Sequence, residues 1–307
     1  YKKIQTFAEG IIAEGFKTVL LIGQGGSTQA PMTITKYNKP DSSKITFKTL
    51  DSDSPVRVRA ILAEAKPETT LFVISSKSGG TIEPRLALRA VRDAVADRIS
   101  EEELVQHLVA ITDPGSMLER QAREEGWAAV FSGQPTVGGR FSALSVFGLL
   151  PAALVGIDLE EFMAHAIDAE RQCSEDAIDN PAIGLASFLY DNYLQGRNKF
   201  TFLTQKRGRV LGLWIEQLVA ESLGKEGKGS LPVPAVGVTD QHSVNQMFLD
   251  GPRTKACLFL DCPSLPAGPA FPAELPKEFA FLGGRRMGDL LPAEALGSRM
   301  AMSQAGV

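Results

Sequence analysis

Twice the chain runs a short apolar stretch straight into a loop of glycine and serine, and no other feature of its 307 residues constrains the fold as strongly. Thr18-Val19-Leu20-Leu21-Ile22 leads into Gly23-Gln24-Gly25-Gly26-Ser27. Leu71-Phe72-Val73-Ile74-Ser75 leads into Ser76-Lys77-Ser78-Gly79-Gly80-Thr81, and a helical pattern follows from about Glu83 to Asp97. Short continuous apolar runs with a β-branched bias are what strands buried on both faces look like, and parallel sheets bury both faces. Further strand-like runs lie at Ile45–Leu50 and at Leu108–Thr112, the latter closing in the turn Asp113-Pro114-Gly115. Helical stretches lie at about 2–16 and at Val56–Glu64. Strand, loop and helix in repeated alternation predict a doubly wound α/β domain with a mainly parallel sheet.

The same pattern resumes later. Gly138-Gly139-Arg140-Phe141-Ser142 opens an apolar helix that runs to about Leu154, and residues 159–195 read as helical. A second α/β unit begins at Lys199–Leu203 and includes the apolar helix Leu211–Leu223, a Gly/Lys-rich loop at 224–230 and a strand at Ala256–Leu260. Pro263 to Pro276 reads as a loop or linker. The expected organisation is a first α/β subdomain over 1–165, a helical connection over 166–198 and a second α/β subdomain over 199–307. Two domains also fit the length at about 150 residues each.

Charge and cysteine usage narrow the function classes. Lys and Arg number 32 against 36 Asp and Glu, a net charge of −4, which is unlike a chain that coats nucleic acid with clustered cations. No run of about eighteen uncharged apolar residues marks a membrane span. Cys173, Cys257 and Cys262 make no secreted disulfide framework, and the Cys257-to-Cys262 spacing is too long for a metal-binding CxxC. Reduced thiols in a cytoplasmic protein without metal are the expectation. The start at Tyr1, inside a helical stretch, and the end at Val307 point to a piece of a longer polypeptide.

Several residues could carry chemistry. Ser76, Ser78 and Thr81 sit between a strand end and a helix start, where unpaired N–H groups and the helix dipole favour an anion. A phosphate monoester suits that place; ordinary capping of the helix by Ser or Thr is the alternative. The segment is not a P-loop, and Gly23–Ser27 is not G-x-G-x-x-G, because Thr28 stands where the third glycine belongs. Arg140, between glycines and a helix start, can hold an oxyanion, or can be a surface arginine. Gln217 and Glu221 lie one turn apart on an apolar helix, so the carboxylate suits base work or merely an exposed face. His242, in Thr239-Asp240-Gln241-His242-Ser243, is the histidine among loop-like polar neighbours; His107 and His165 have helical, polar-flanked contexts and read as plain.

Taken together, Ser76-Lys77-Ser78-Gly79-Gly80-Thr81-Ile82-Glu83, Val137-Gly138-Gly139-Arg140-Phe141-Ser142, Ala220-Glu221-Ser222-Leu223-Gly224-Lys225 and Asp240-Gln241-His242-Ser243 resemble the phosphoglucose isomerase family, in that family's order and over nearly the whole chain. The isomerase part of fused transaldolase–phosphoglucose isomerases is similar too. The resemblance implies two sugar-isomerase (SIS) subdomains and reversible interconversion of glucose 6-phosphate and fructose 6-phosphate through an enediol, in glycolysis and gluconeogenesis. It implies that Ser27, Ser76, Lys77, Ser78 and Thr81 bind phosphate. Arg140 would steady the enediolate, aided by the Gly139 backbone, and Gln217 would contact substrate. Glu221 would move the proton between C1 and C2, and His242, contributed by the neighbouring subunit of a homodimer, would act in ring opening. No cofactor or metal is implied. Gln24 and the stretch from Thr28 to Pro31 depart from the family's usual wording. The family's Gln-x-Gly-Val-Glu-x-x-Lys segment, whose lysine assists ring opening, does not occur in the 307 residues. A non-catalytic SIS module that senses a sugar phosphate is the other reading; it needs the phosphate loop but not Arg140, Glu221 or His242. Activity extended to mannose 6-phosphate stays open.

Overall fold

The computed structural model describes residues 1–204, 208–261 and 267–307, so Cys262 and the start of the Pro-rich stretch lie outside the described residues. The chain divides into two compact units, Tyr1–Glu175 and Asp176–Val307.

In chain order the first unit contains α1 (Lys2–Ala13), β1 (Thr18–Gly23), α2 (Gly26–Asn38), β2 (Thr46–Leu50), α3 (Pro55–Glu64), β3 (Thr70–Ser75) and α4 (Ile82–Val95). It continues with α5 (Glu101–Val105), β4 (Leu108–Thr112), α6 (Met117–Glu124), β5 (Ala129–Ser132), a 3-10 turn at Gly139–Leu144, α7 (Val146–Leu154) and α8 (Leu159–Ser174). The strands form one parallel sheet in the order β2-β1-β3-β4-β5. All six residues of β3 are buried, as a central parallel strand requires. Alternation divides its side chains: Phe72 and Ile74 join Leu20, Ile22, Leu88, Val91 and Leu118 in a core beneath α4 and α6. Leu71, Val73 and Ser75 therefore face the opposite side, where α1, α2 and α7 pack.

The sequence pattern missed α6 and β5. The strand has four residues, none fully buried, and so lacks the apolar run that marks its neighbours. Gly138–Ser142 does not open the apolar helix directly: the chain makes a 3-10 turn first, and Ser145 then caps α7 by accepting the Phe147 N–H.

The second unit contains α9 (Pro181–Leu194), β6 (Lys199–Thr204), α10 (Arg209–Leu223), β7 (Leu231–Val236), α11 (Thr239–Leu249), β8 (Lys255–Leu260), a short 3-10 turn at Lys277–Leu282 and α12 (Met287–Gln304). Its described strands form a parallel sheet in the order β7-β6-β8. Phe200 and Phe202 of β6 pack toward α9 and α10, with Leu189, Tyr193 and Ile215. Leu203 points the other way, to Phe248 of α11 and Met302 of α12. The helical stretch at 159–195 is broken into α8 and α9. Pro181 offers no N–H to continue a helix, and Asn180 Oδ1 instead accepts the N–H groups of Ala182 and Ile183. Pro232 and Pro234 obscure β7 in the sequence, but both are tolerable because β7 is an edge strand.

Candidate active site

In the first sheet the chain leaves β1 toward β2 on one side and β3 toward β4 on the other. Loops that diverge this way open a crevice at the carboxyl ends of the two strands, where open α/β sheets take ligands. A cavity of about 380 Å³ lies there, and its walls include Ser27, Ser76, Lys77, Ser78, Thr81 and Gly139. Ser75 and Asp113 also line it, and sequence reasoning missed both. Ser75 passed as the last residue of a strand and Asp113 as a turn former; only the strand register sets them beside the loops.

Two helices begin at this crevice, and neither is capped by a side chain among the described residues. The N-cap of α2 is Gly25, with φ 55. The N-cap of α4 is Thr81, but its hydroxyl accepts from Ser76 Oγ at 3.3 Å and does not cap the helix. By contrast Ser116, Ser145 and Asp158 cap α6, α7 and α8 with their side chains. In α2 the Ser27 and Thr28 N–H groups already donate to the Gln24 and Gly25 carbonyls, at 3.2 and 2.9 Å. In α4 the Ile82 and Glu83 N–H groups find no acceptor among the described residues, and both helix ends carry positive partial charge. An anion fits this environment.

Two close approaches shape the walls. A Cβ on Gly26 would sit 2.4 Å from the Gly139 carbonyl and 2.7 Å from the Arg140 N, so only glycine lets the 139–144 turn lie against the start of α2. Gly79 has φ +65, and a Cβ there would sit 2.7 Å from Ser116 Cβ. Arg140, next to Gly139, is half-buried, with its guanidinium carbon 4.6 Å from the centre of the Phe141 ring. Lys77 does not project freely. Its ammonium donates to Asp113 Oδ2 at 2.5 Å and to the Gln134 carbonyl at 3.0 Å, while the Lys77 carbonyl accepts from the Asp113 N–H at 3.0 Å.

The second unit holds the remaining candidates. Gln217 Nε2 donates to Glu221 Oε2 at 3.1 Å, one turn apart on α10, and the Glu221 side of the helix is exposed. Gln217 Oε1 is buried without a hydrogen-bond partner among the described residues. His242 is not in a loop: it lies in α11, exposed, its backbone N–H donating to the Val238 carbonyl at 3.2 Å. Polar neighbours concealed the helix, whose only buried residues are Gln241 and Phe248. His107 is also not helical. It occupies the turn before β4, buried, with Nδ1 2.8 Å from the Pro67 carbonyl and its ring against Phe16.

Burial pushes the Cys257 thiol up to about 11, which makes it a poor nucleophile. Among the described residues no cluster of three or more His, Cys, Asp or Glu is placed to hold a metal, and no helix is long and apolar enough to cross a membrane.

Comparisons with known proteins bear on the whole chain. The phosphoglucose isomerase family model matches residues 2–262. The glucose-6-phosphate isomerase of Rubrobacter xylanophilus is 32% identical over 310 residues, covering 97% of this chain and 72% of that protein. That of Carboxydothermus hydrogenoformans is 33% identical, covering 96% and 68%. A crystal structure of a glucose-6-phosphate isomerase from Chlamydia trachomatis superposes with a TM-score of 0.81 over 98% of this chain and 58% of that one; at 22% identity it speaks to the fold alone. The family match runs across both units, and the chain belongs to the phosphoglucose isomerase family.

Proposed function

We propose that this chain interconverts glucose 6-phosphate and fructose 6-phosphate as an aldose–ketose isomerase of glycolysis and gluconeogenesis. One observation carries the reading: a crevice at the strand switch lined by Ser27, Ser76, Ser78 and Thr81, with two helix starts that no described side chain caps, in a chain matched along its length by named glucose-6-phosphate isomerases. Such a crevice can take a phosphate dianion through short N–H and O–H donors. Phosphate held there supplies binding energy remote from the reacting carbons.

The chemistry assigns the other roles. A proton next to a carbonyl is weakly acidic, so a positioned carboxylate must remove it from one carbon and return it to the next. Glu221 is that base, and Gln217 Nε2 steadies its carboxylate and contacts substrate. Negative charge then develops on the enediol oxygens, where Arg140 and the Gly139 backbone stabilise it. His242 acts in ring opening and comes from the neighbouring subunit of a homodimer working in the cytoplasm. The reaction moves a proton and an electron pair within one substrate, so it calls for no external oxidant or reductant.

A coupled assay with glucose 6-phosphate or fructose 6-phosphate tests the assignment. Glu221→Gln should cut kcat by roughly 100-fold or more while KM changes little, as for loss of a general base. Undiminished turnover in that variant removes Glu221 as base. Sugar-phosphate binding by calorimetry with no isomerisation in the wild-type protein favours the sensing module instead.

A further inference from the structure

Ser75 belongs to no motif, yet it is the most confined hydroxyl in the crevice. It is 0% exposed, it lines the cavity, and its Oγ has no hydrogen-bond partner among the described residues. Its neighbours Ser76 and Ser78 differ on this point: Ser76 Oγ donates to Thr81, and Ser78 Oγ accepts from the Gly80 N–H. A buried hydroxyl without a partner destabilises a fold, and native structures keep such groups for a reason that can be sought.

The register shows where Ser75 faces. It pairs with Gly23 of β1 in a parallel ladder, and paired residues of adjacent strands share a face. A Cβ on Gly23 would lie 3.3 Å from Ser27 Cβ and 3.3 Å from Thr28 Cγ2. Ser75 therefore stands on the side where α2 begins; the same Cβ would lie 2.6 Å from the Ser75 carbonyl oxygen, so the bare Cα of Gly23 is what lets the end of β3 and the start of α2 close in around it. On that side lie the N-terminus of α2, with its positive partial charge, and the phosphate-binding candidate Ser27.

We propose that Ser75 is a further phosphate-binding residue, whose hydroxyl donates to a phosphate oxygen of the substrate from the floor of the crevice, beside Ser27. This deepens the reading of the crevice as the phosphate site and rests on it. A hydrogen bond to a charged group supports binding in ground state and transition state alike, so its loss appears mainly in KM.

The test separates this role from a structural one and from failure of the functional reading. Inorganic phosphate serves as the probe of the crevice, by thermal shift and by competitive inhibition, alongside steady-state kinetics with glucose 6-phosphate. Ser75→Ala should raise KM and weaken phosphate inhibition together, each on the order of tenfold, and more than it lowers kcat. Its Tm without ligand should not fall, because the substitution removes a buried group that had no partner. Ser75→Cys, similar in shape but a much weaker donor, should show the same loss. If either variant folds and keeps wild-type KM and phosphate inhibition, the proposal is overturned. Wild-type protein that binds phosphate but does not isomerise sinks the functional reading, while the phosphate measurements still decide on Ser75.

Discussion

Gly26 shows how one missing methyl group fixes a site. It starts α2, and its bare Cα is what lets the Gly139–Arg140 backbone close against the helix end. Gly26→Ala would force that turn outward, because the clash is with backbone and not with a flexible side-chain end. A shift of about 1 Å at Arg140, proposed above to steady an enediolate, costs on the order of 100-fold in kcat/KM. We expect a loss of that size in the coupled assay, with unfolding free energy lowered by only about 1–3 kcal/mol, the usual range for overpacking. At this scale the sequence was readable where chemistry sits in a contiguous string. Ser76, Lys77, Ser78 and Thr81 follow one another and do line one crevice. Ser75 and Asp113 were not readable, because their place depends on which strands become neighbours: Ser75 lies opposite Gly23 and Ile111, and Asp113 follows a strand paired with β3.

The elements were legible to the degree that burial wrote itself into local pattern. β1, β3 and β4 are apolar runs because both faces of the sheet are covered, and each occurs where the runs predict it. β5 is only four residues long with none fully buried, and β7 carries Pro232 and Pro234, so neither announces itself. α11 has just two buried residues, so a periodic signal is absent there too. The central strand should bear the largest stability effects. Phe72 is fully buried in the core beneath α4, and Phe72→Ala should cost about 3–5 kcal/mol in denaturant unfolding, as for other large-to-small changes in tight cores. A much smaller cost would mean that the sheet can collapse around the cavity.

For the molecule as a whole, acid is the informative perturbation. Burial pushes the Glu125 carboxyl up, but the Trp127 indole N–H, the Gln121 amide and the Arg92 guanidinium together hold it below the usual carboxylate range. A folded-state value lowered in this way adds stability that is fully present above the unfolded-state value. That stability is lost as pH falls through the folded one. We expect Tm to drop on acidification below the ordinary glutamate range. Glu125→Gln should start from a lower Tm at neutral pH and lose less of it over the same interval. Parallel curves for the two proteins would show that Glu125 does not contribute.

The clasp between Lys77 and Asp113 bears on how a sugar phosphate arrives. The lysine in the crevice is already matched by a carboxylate 2.5 Å away, and the chain carries a net charge of −4. Lys77 therefore adds little far-reaching attraction for a dianion, and the positive helix ends act only close in. Capture must begin at touching range, with directional donors replacing the water around each phosphate oxygen. Selection by shape and donor geometry suits a catalyst whose two sugars share one anionic handle and must both be able to leave.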